Sequence, residues 1–367
     1  MLFKMRCCFK MVEQENAIAI VTLPGRFNYG NRLQNYATSE IYKALGYHSV
    51  TLEVQDSPNL KKLIKKILSP LFKSGLPANP EDLMSEGRIQ AFNRFNRAIE
   101  FNTIRTSDKD LDSSYKFFSV GSDQVWNPGY MYGHEDFYLL DFCSDYKKIA
   151  LSASIGLDEL SEKDASRIVR SVESFKGISV REKRAAEIIG GYSSMSPVVV
   201  CDPTVVLTPE EWRAVADGRC TPSEPYVFTY LLGGIGSEAS AVLEKVTDHG
   251  RIPVVPLTDR QKPGEPDAGP AEFIDLIDHS VHVVTDSFHA AVFSSILQSP
   301  LTIVHREGGA SMFSRLKQLS EMLGIEEKVY GSPSYDLSRA GDYDGVPEAI
   351  ARERAHFMEY LEGCLNG

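Results

Sequence analysis

The sequence predicts an α/β protein of two Rossmann-like domains, each a doubly wound, mainly parallel sheet, facing one another across a cleft. Three observations predict it. Short apolar runs alternate with stretches of helical periodicity almost from end to end, the pattern of repeated strand and helix units. The chain has 367 residues, 43% of them hydrophobic, more than one core ordinarily needs. A shift toward Pro, Thr and Glu over 203–225 separates one alternation from a second, more compact one and reads as the connection between domains. The division puts one domain at 1–205 and the other at 206–343, with a last helix at 346–365 packing back on the first.

The expected strands of the first half are AIAIVTL (17–23), YHSVTLEV (47–54), KFFSVG (116–121), KIALSASIG (148–156), GISVR (177–181) and PVVVCDP (197–203). Each is a short apolar or β-branched run closed by turn formers. Between them, apolar residues recur at helical spacing over 31–45, in a charged pair spanning about 58–100, and over 161–175 and 182–189. The second half predicts strands at 226–233, 252–258, 281–287 and 301–306, with helices at 237–249, 269–279, 289–298 and 312–324. Open sheets of this kind bind ligands beyond the carboxyl ends of their strands.

Fifty acidic residues against 39 basic give a net charge of −11, which excludes a protein that lives on nucleic acid. Any anionic ligand must be held locally. Cys7, Cys8, Cys143, Cys201, Cys220 and Cys364 form no CxxC pair and no zinc-ligand cluster, so free thiols, a reduced compartment, no metal and no resident cofactor are expected. The opening MLFKMRCCFKMVEQEN never reaches the apolar run of a signal peptide, and the expected location is the cytoplasm. One basic amphipathic stretch, KKLIKKILSPLFK (61–73), reads as a solvated helix face or as a peripheral contact with a membrane surface or partner.

The strand ends carry the polar residues on which chemistry would rest. PGRFNYGN (24–31) brings Asn28 and Asn31 to a helix start, either as a turn with an amide cap or as ligand contacts. GSDQVWNPG (121–129) places Asp123 and Gln124 at a strand end with Trp126 close by, a carboxylate beside an aromatic face suited to sugar hydroxyls. In SVREKRA (179–185), Arg181 offers a fork of donors matched to phosphate or carboxylate. CDPT (201–204) is a weaker signal, Asp202 ahead of Pro203 serving to fix the strand exit. VTDSFHAA (284–291) sets Ser287, Phe288 and His289 at the start of a helix, where unpaired N–H groups favour an anion and His289 can move a proton. Arg306 and Arg315 add positive charge after the next strand.

Taken together, NYGNRLQNYA, GSDQVWNP, SASIG, VREKRA, CDPT, TDSFHAAVFSS and SRLKQLSEMLG, in that order over nearly the whole chain, resemble the polysaccharide pyruvyl transferase family. The resemblance implies a GT-B-like fold with an acceptor-side first domain and a donor-side second domain. It also implies transfer of the enolpyruvyl group of phosphoenolpyruvate onto two hydroxyls of one sugar, or of a lipid-linked oligosaccharide, as a cyclic ketal. His289 and Asp123 would be acid and base in either order. Arg181, Arg315, Ser287, Phe288 and Arg306 would hold the donor, and Asn28, Asn31, Gln124 and Trp126 the acceptor. Many members carry Arg-Leu-His where this chain has Ser287-Phe288-His289, so Arg306 or Arg315 would supply the missing charge. A glycosyltransferase using a nucleotide sugar and a non-catalytic glycan-binding relative are the alternative readings.

Overall fold

The structure is a computed structural model and describes residues 16–55, 84–131, 133–306 and 313–367. Seven strands form the first sheet: β1 (Ala17–Val21), β2 (His48–Val54), β3 (Phe101–Ile104), β4 (Phe117–Val120), β5 (Lys148–Ala153), β6 (Gly177–Val180) and β7 (Val198–Val199). Their order is β3-β2-β1-β4-β5-β6-β7, with every pairing parallel. A second parallel sheet contains β8 (Val227–Tyr230), β9 (Val254–Leu257), β10 (His282–Thr285) and β11 (Leu301–Ile303) in the order β11-β10-β8-β9. The central strands β4, β8 and β10 are buried at every position, which is why they read as mainly apolar runs without a polar alternation.

Within the segment 203–225, Thr208 caps the helix Pro209–Val215 in a capping box with Glu211, and Trp212 is fully buried against the rings of Tyr36 and Phe293. Strand β3 went unread because it is a short sheet edge whose middle residues, Asn102 and Thr103, are polar and exposed. Of the charged helix pair at 58–100, the structure describes the helix Glu86–Asn96; the basic stretch 61–73, Cys7 and Cys8 lie outside the described residues. The four described cysteines are free thiols.

The two sheets are joined by a common core. Tyr29 stacks on Phe273 at 5.1 Å, meets Tyr230 edge-on at 5.5 Å, and donates its hydroxyl to the Ala268 carbonyl at 2.7 Å. On one flank Arg88, in the helix Glu86–Asn96, forms a buried ion pair with Glu265 at 3.0 Å. On the other flank the helix Val346–Asn366 crosses to the first sheet, where Tyr360 donates to the Ala150 carbonyl at 2.7 Å and Arg354 to the Leu207 carbonyl at 3.0 Å. No helix among the described residues is long and apolar enough to cross a membrane.

Candidate active site

Strand order decides where a ligand goes. In the first sheet the chain leaves β1 toward β2 on one side and later resumes beside β1 at β4; in the second, β8 has β9 on one side and β10 on the other. Loops leaving neighbouring strands in opposite directions open a crevice at the carboxyl ends. Here both crevices merge into one cavity of about 550 Å³. Its walls are Leu23, Pro24, Gly25 and Asn28 after β1, Asp123 and Gln124 after β4, Leu232 after β8, Asp259 after β9, Asp286 to His289 after β10, and Arg306 after β11.

Charge is concentrated on the wall of the first sheet. Arg181, immediately after β6, is buried, and its Nη1 donates to Asp202 Oδ2 at 2.7 Å. Glu182 Oε2 lies 3.8 Å from its Nε and Asp123 Oδ1 3.9 Å from its Nη2. Burial alone would make the guanidinium easier to deprotonate, but Asp202, Glu182 and Asp123 together raise it above its ordinary value. Even so, Nε and Nη2 are buried without a hydrogen-bond partner. The ring of Phe288 lies over this guanidinium at 5.0 Å, a cation–π contact. Arg315 lines both the main cavity and a small adjoining pocket against Arg181; burial and the neighbouring Arg181 lower it to about 10, against the pull of Glu182 and Asp123.

Asp202 and His289 meet at the same place. Burial would push the Asp202 carboxyl up, yet His289 and Arg181 hold it well below the usual carboxylate range. His289, in the first turn of the helix Phe288–Leu297, brings its Nε2 to 3.8 Å from Asp202 Oδ2. The ring fits because residue 30 is glycine: a Cβ there would overlap the imidazole. Asp123 sits in the left-handed region at φ 64°, a conformation that Asp tolerates better than most residues and that often marks a functional position. Its carboxylate accepts from the Gln124 N–H at 2.9 Å and the Asn31 amide at 3.4 Å.

With this geometry in place, the family model for polysaccharide pyruvyl transferase matches residues 28–304, which include Asp123, Arg181, Glu182, Asp202 and His289 but neither Arg306 nor Arg315. The chain belongs to this family. It is thereby a transferase concerned with polysaccharide pyruvylation. No curated protein matches the chain. Solved structures resemble it at low identity. The glycosyltransferase SnogD from Streptomyces nogalater is 10% identical with a TM-score of 0.40, over 94% of this chain and 95% of that one. The UDP-GlcNAc 2-epimerase from Neisseria meningitidis, bound to UDP-GlcNAc, is 12% identical with a TM-score of 0.43, over 92% and 100%. Such scores carry no argument about activity, and the fold described above rests on its own sheets.

In this pyruvyl transferase the cavity brings together most of the residues picked from the sequence. Asn28, Asn31, Asp123, Gln124, Ser287, Phe288, His289, Arg306 and Arg315 all line it, and Arg181 lies just behind Phe288. One placement differs from the role expected. Trp126 is a correction: it is fully buried and its indole N–H donates to the Tyr138 carbonyl at 3.2 Å, so it offers no face to the cavity. Tyr130, 56% exposed, and Tyr138 are nearby aromatic residues that do line it. Arg306 reaches the wall but pairs with Asp286, donating from Nε at 3.2 Å. Asn28 also caps the helix Tyr29–Ala44 by accepting from the Asn31 N–H at 2.9 Å.

Sequence reasoning passed over Asp202 as a strand exit and did not select Asp259 or Asp286. Asp286 accepts from the backbone N–H groups of Leu232 and Gly233 at 2.7 and 2.8 Å and so closes the turn after β8. Asp259 accepts from the Tyr230 hydroxyl, and burial raises its carboxyl above the ordinary value. The rule that pointed to Asp123 and His289, a polar residue just past a strand's carboxyl end, applies equally to Asp259 after β9.

Proposed function

We propose that this transferase moves the enolpyruvyl group of phosphoenolpyruvate onto two hydroxyls of one sugar in a polysaccharide precursor, closing a cyclic pyruvate ketal and releasing phosphate. The observation that supports it is the convergence of Arg181 and His289, from opposite sheets, on one oxygen of Asp202 beside a shared cavity. A donor carrying a carboxylate and a phosphate needs cations at both ends. Arg181, with two N–H donors lacking partners, and Arg315 beside it are suited to hold them. The cavity volume falls in the range of small-molecule sites and leaves room for a sugar next to the donor.

The chemistry then needs one acid and one base, the roles given to His289 and Asp123. A proton added to the methylene carbon makes a methyl group, and the neighbouring carbon becomes an oxocarbenium-like centre. A sugar hydroxyl bonds to that carbon and gives up its proton. The carbon–oxygen bond to phosphate breaks as a second hydroxyl bonds to the same carbon and loses its proton in turn. Of the two protons released, one replaces the proton consumed and the other leaves with the phosphate. Asn28, Asn31, Gln124 and Tyr130 line the side of the cavity that would take the acceptor.

The test is phosphate release from phosphoenolpyruvate with and without glycosides that carry neighbouring hydroxyls. Release only with a glycoside is expected, with a loss of about 10²–10⁴-fold in His289→Ala. Thermal stabilisation by nucleotides, but not by phosphoenolpyruvate, would favour a glycosyltransferase instead. Glycan binding with no donor binding and no turnover would favour a non-catalytic relative.

A further inference from the structure

Asp202 makes no donor or acceptor contact in the reading above, yet it is the most fully bonded acid at the site. Its Oδ1 accepts from the Thr204 N–H at 3.0 Å and the Thr204 hydroxyl at 2.7 Å. Its Oδ2 accepts from the Ser122 hydroxyl at 3.0 Å and Arg181 Nη1 at 2.7 Å. The side chain is completely buried, so the carboxylate is fixed by the loops after β4, β6 and β7 at once. His289 comes to this fixed oxygen from the second sheet. Its Nε2 is buried and has no hydrogen-bond partner, while Nδ1 lies over Gly30 and the ring meets Phe288 edge-on at 5.3 Å.

We propose that Asp202 is a positioning residue: through Oδ2 it holds the Arg181 guanidinium and the Nε2 edge of His289 in one register, leaving Nδ1 as the ring nitrogen that exchanges a proton in the cavity. The inference rests on the reading that His289 moves a proton in the transfer. Which imidazole nitrogen carries the resting proton is set by what the other edge faces, and a fixed carboxylate favours an N–H pointed at it. At 3.8 Å the contact is an ion-pair separation rather than a hydrogen bond, so the carboxylate acts by charge. The other charged groups around the ring are Arg181 on the same oxygen, Glu182 behind Arg181, and Asp123, Asp286, Arg306 and Arg315 on the cavity walls. Of these, Asp202 is the one paired with the imidazole, and it faces Nε2.

The test is the long-range ¹H–¹⁵N spectrum of the imidazoles in the full chain without substrate, with His289 assigned by the signals lost in His289→Gln. Wild type is expected to hold the neutral ring as the Nε2–H tautomer. Asp202→Asn, which keeps the shape but removes the charge, is expected to shift His289 toward Nδ1–H. The same variant should lower kcat on the order of 10²-fold or more. An Nδ1–H tautomer in wild type overturns the proposal, and that spectrum decides the matter even if Asp202→Asn does not fold. A tautomer unchanged in a folded Asp202→Asn overturns it as well. An Nε2–H wild type that lacks turnover with phosphoenolpyruvate supports the positioning role while sinking the functional reading, so the two failures are distinct.

Discussion

On the first sheet's side, Arg181 is ringed by Asp123, Glu182 and Asp202 and still has two nitrogens, Nε and Nη2, without hydrogen-bond partners. On the second sheet's wall, Arg306 is matched to Asp286, and Asp286 also satisfies the amides of Leu232 and Gly233. The first wall holds donors that its own residues leave unpaired; the Arg306–Asp286 part of the second is closed on itself. Buried polar groups ordinarily find partners, so the unpaired set marks where a ligand would complete the bonding, and the paired set marks a frame. His289 is the exception on the second wall, since its unpartnered Nε2 faces the first.

Removing Arg181 should separate the two walls most sharply. Arg181→Ala leaves a cluster of buried carboxylates without their cation, and breaking such a pair costs about 3–5 kcal/mol. Urea unfolding should show that loss, together with abolished phosphate release; a fully stable variant would mean that water or another cation already balances the cluster.

Acid should strike the second sheet before the charged wall. His282, buried in β10 with its Nε2 against the Thr302 hydroxyl at 2.9 Å, is lowered to about 4 by burial and then by Lys328. Between about 6.5 and 4 the unfolded chain therefore binds the extra proton, so stability is present above 6.5 and is lost as pH falls toward 4, by roughly 3 kcal/mol at most. Asp202 is depressed as a carboxyl, so its contribution is lost only at still lower pH. Unfolding curves from pH 7 to 4, with His282→Asn flattening the slope, check this order.

A subtler change probes the meeting point of the walls. Gly30→Ala improves helix propensity by about 1 kcal/mol, yet its Cβ would overlap the His289 ring. Turnover should fall at least about tenfold with the fold retained, and unchanged kinetics would show the ring free to move aside. The smallest effect is expected at Arg306. Arg306→Ala leaves Asp286 with its two backbone donors, so stability should drop by about 1 kcal/mol and donor affinity should change little. A large loss of donor binding would assign Arg306 to the donor after all.

Much of this arrangement was legible in the sequence because parallel strands announce themselves and their carboxyl ends are a known address. The run AIAIV, the junction VTDSFHAA and Arg181 after GISV needed no more than that. What stayed hidden depends on which way a side chain turns. Trp126 follows Asp123 by three residues, but the turn that aims the carboxylate at the cavity sends the indole into the core. Asp202 looked like a simple strand exit because it does cap the turn Pro203–Val205; that its second oxygen meets a residue from the other sheet is a tertiary fact with no local trace. The second cation near Arg181 is another case. Arg315 reaches the cavity from a helix that begins well past β11, at a distance that spacing alone does not fix.

A crystal structure with phosphoenolpyruvate bound tests the central claim most directly. The donor is predicted with one anionic group on Nε and Nη2 of Arg181, the other toward Arg315, and its enol carbons facing His289. Donor density elsewhere, with Arg181 still held only by its own carboxylates, would contradict it.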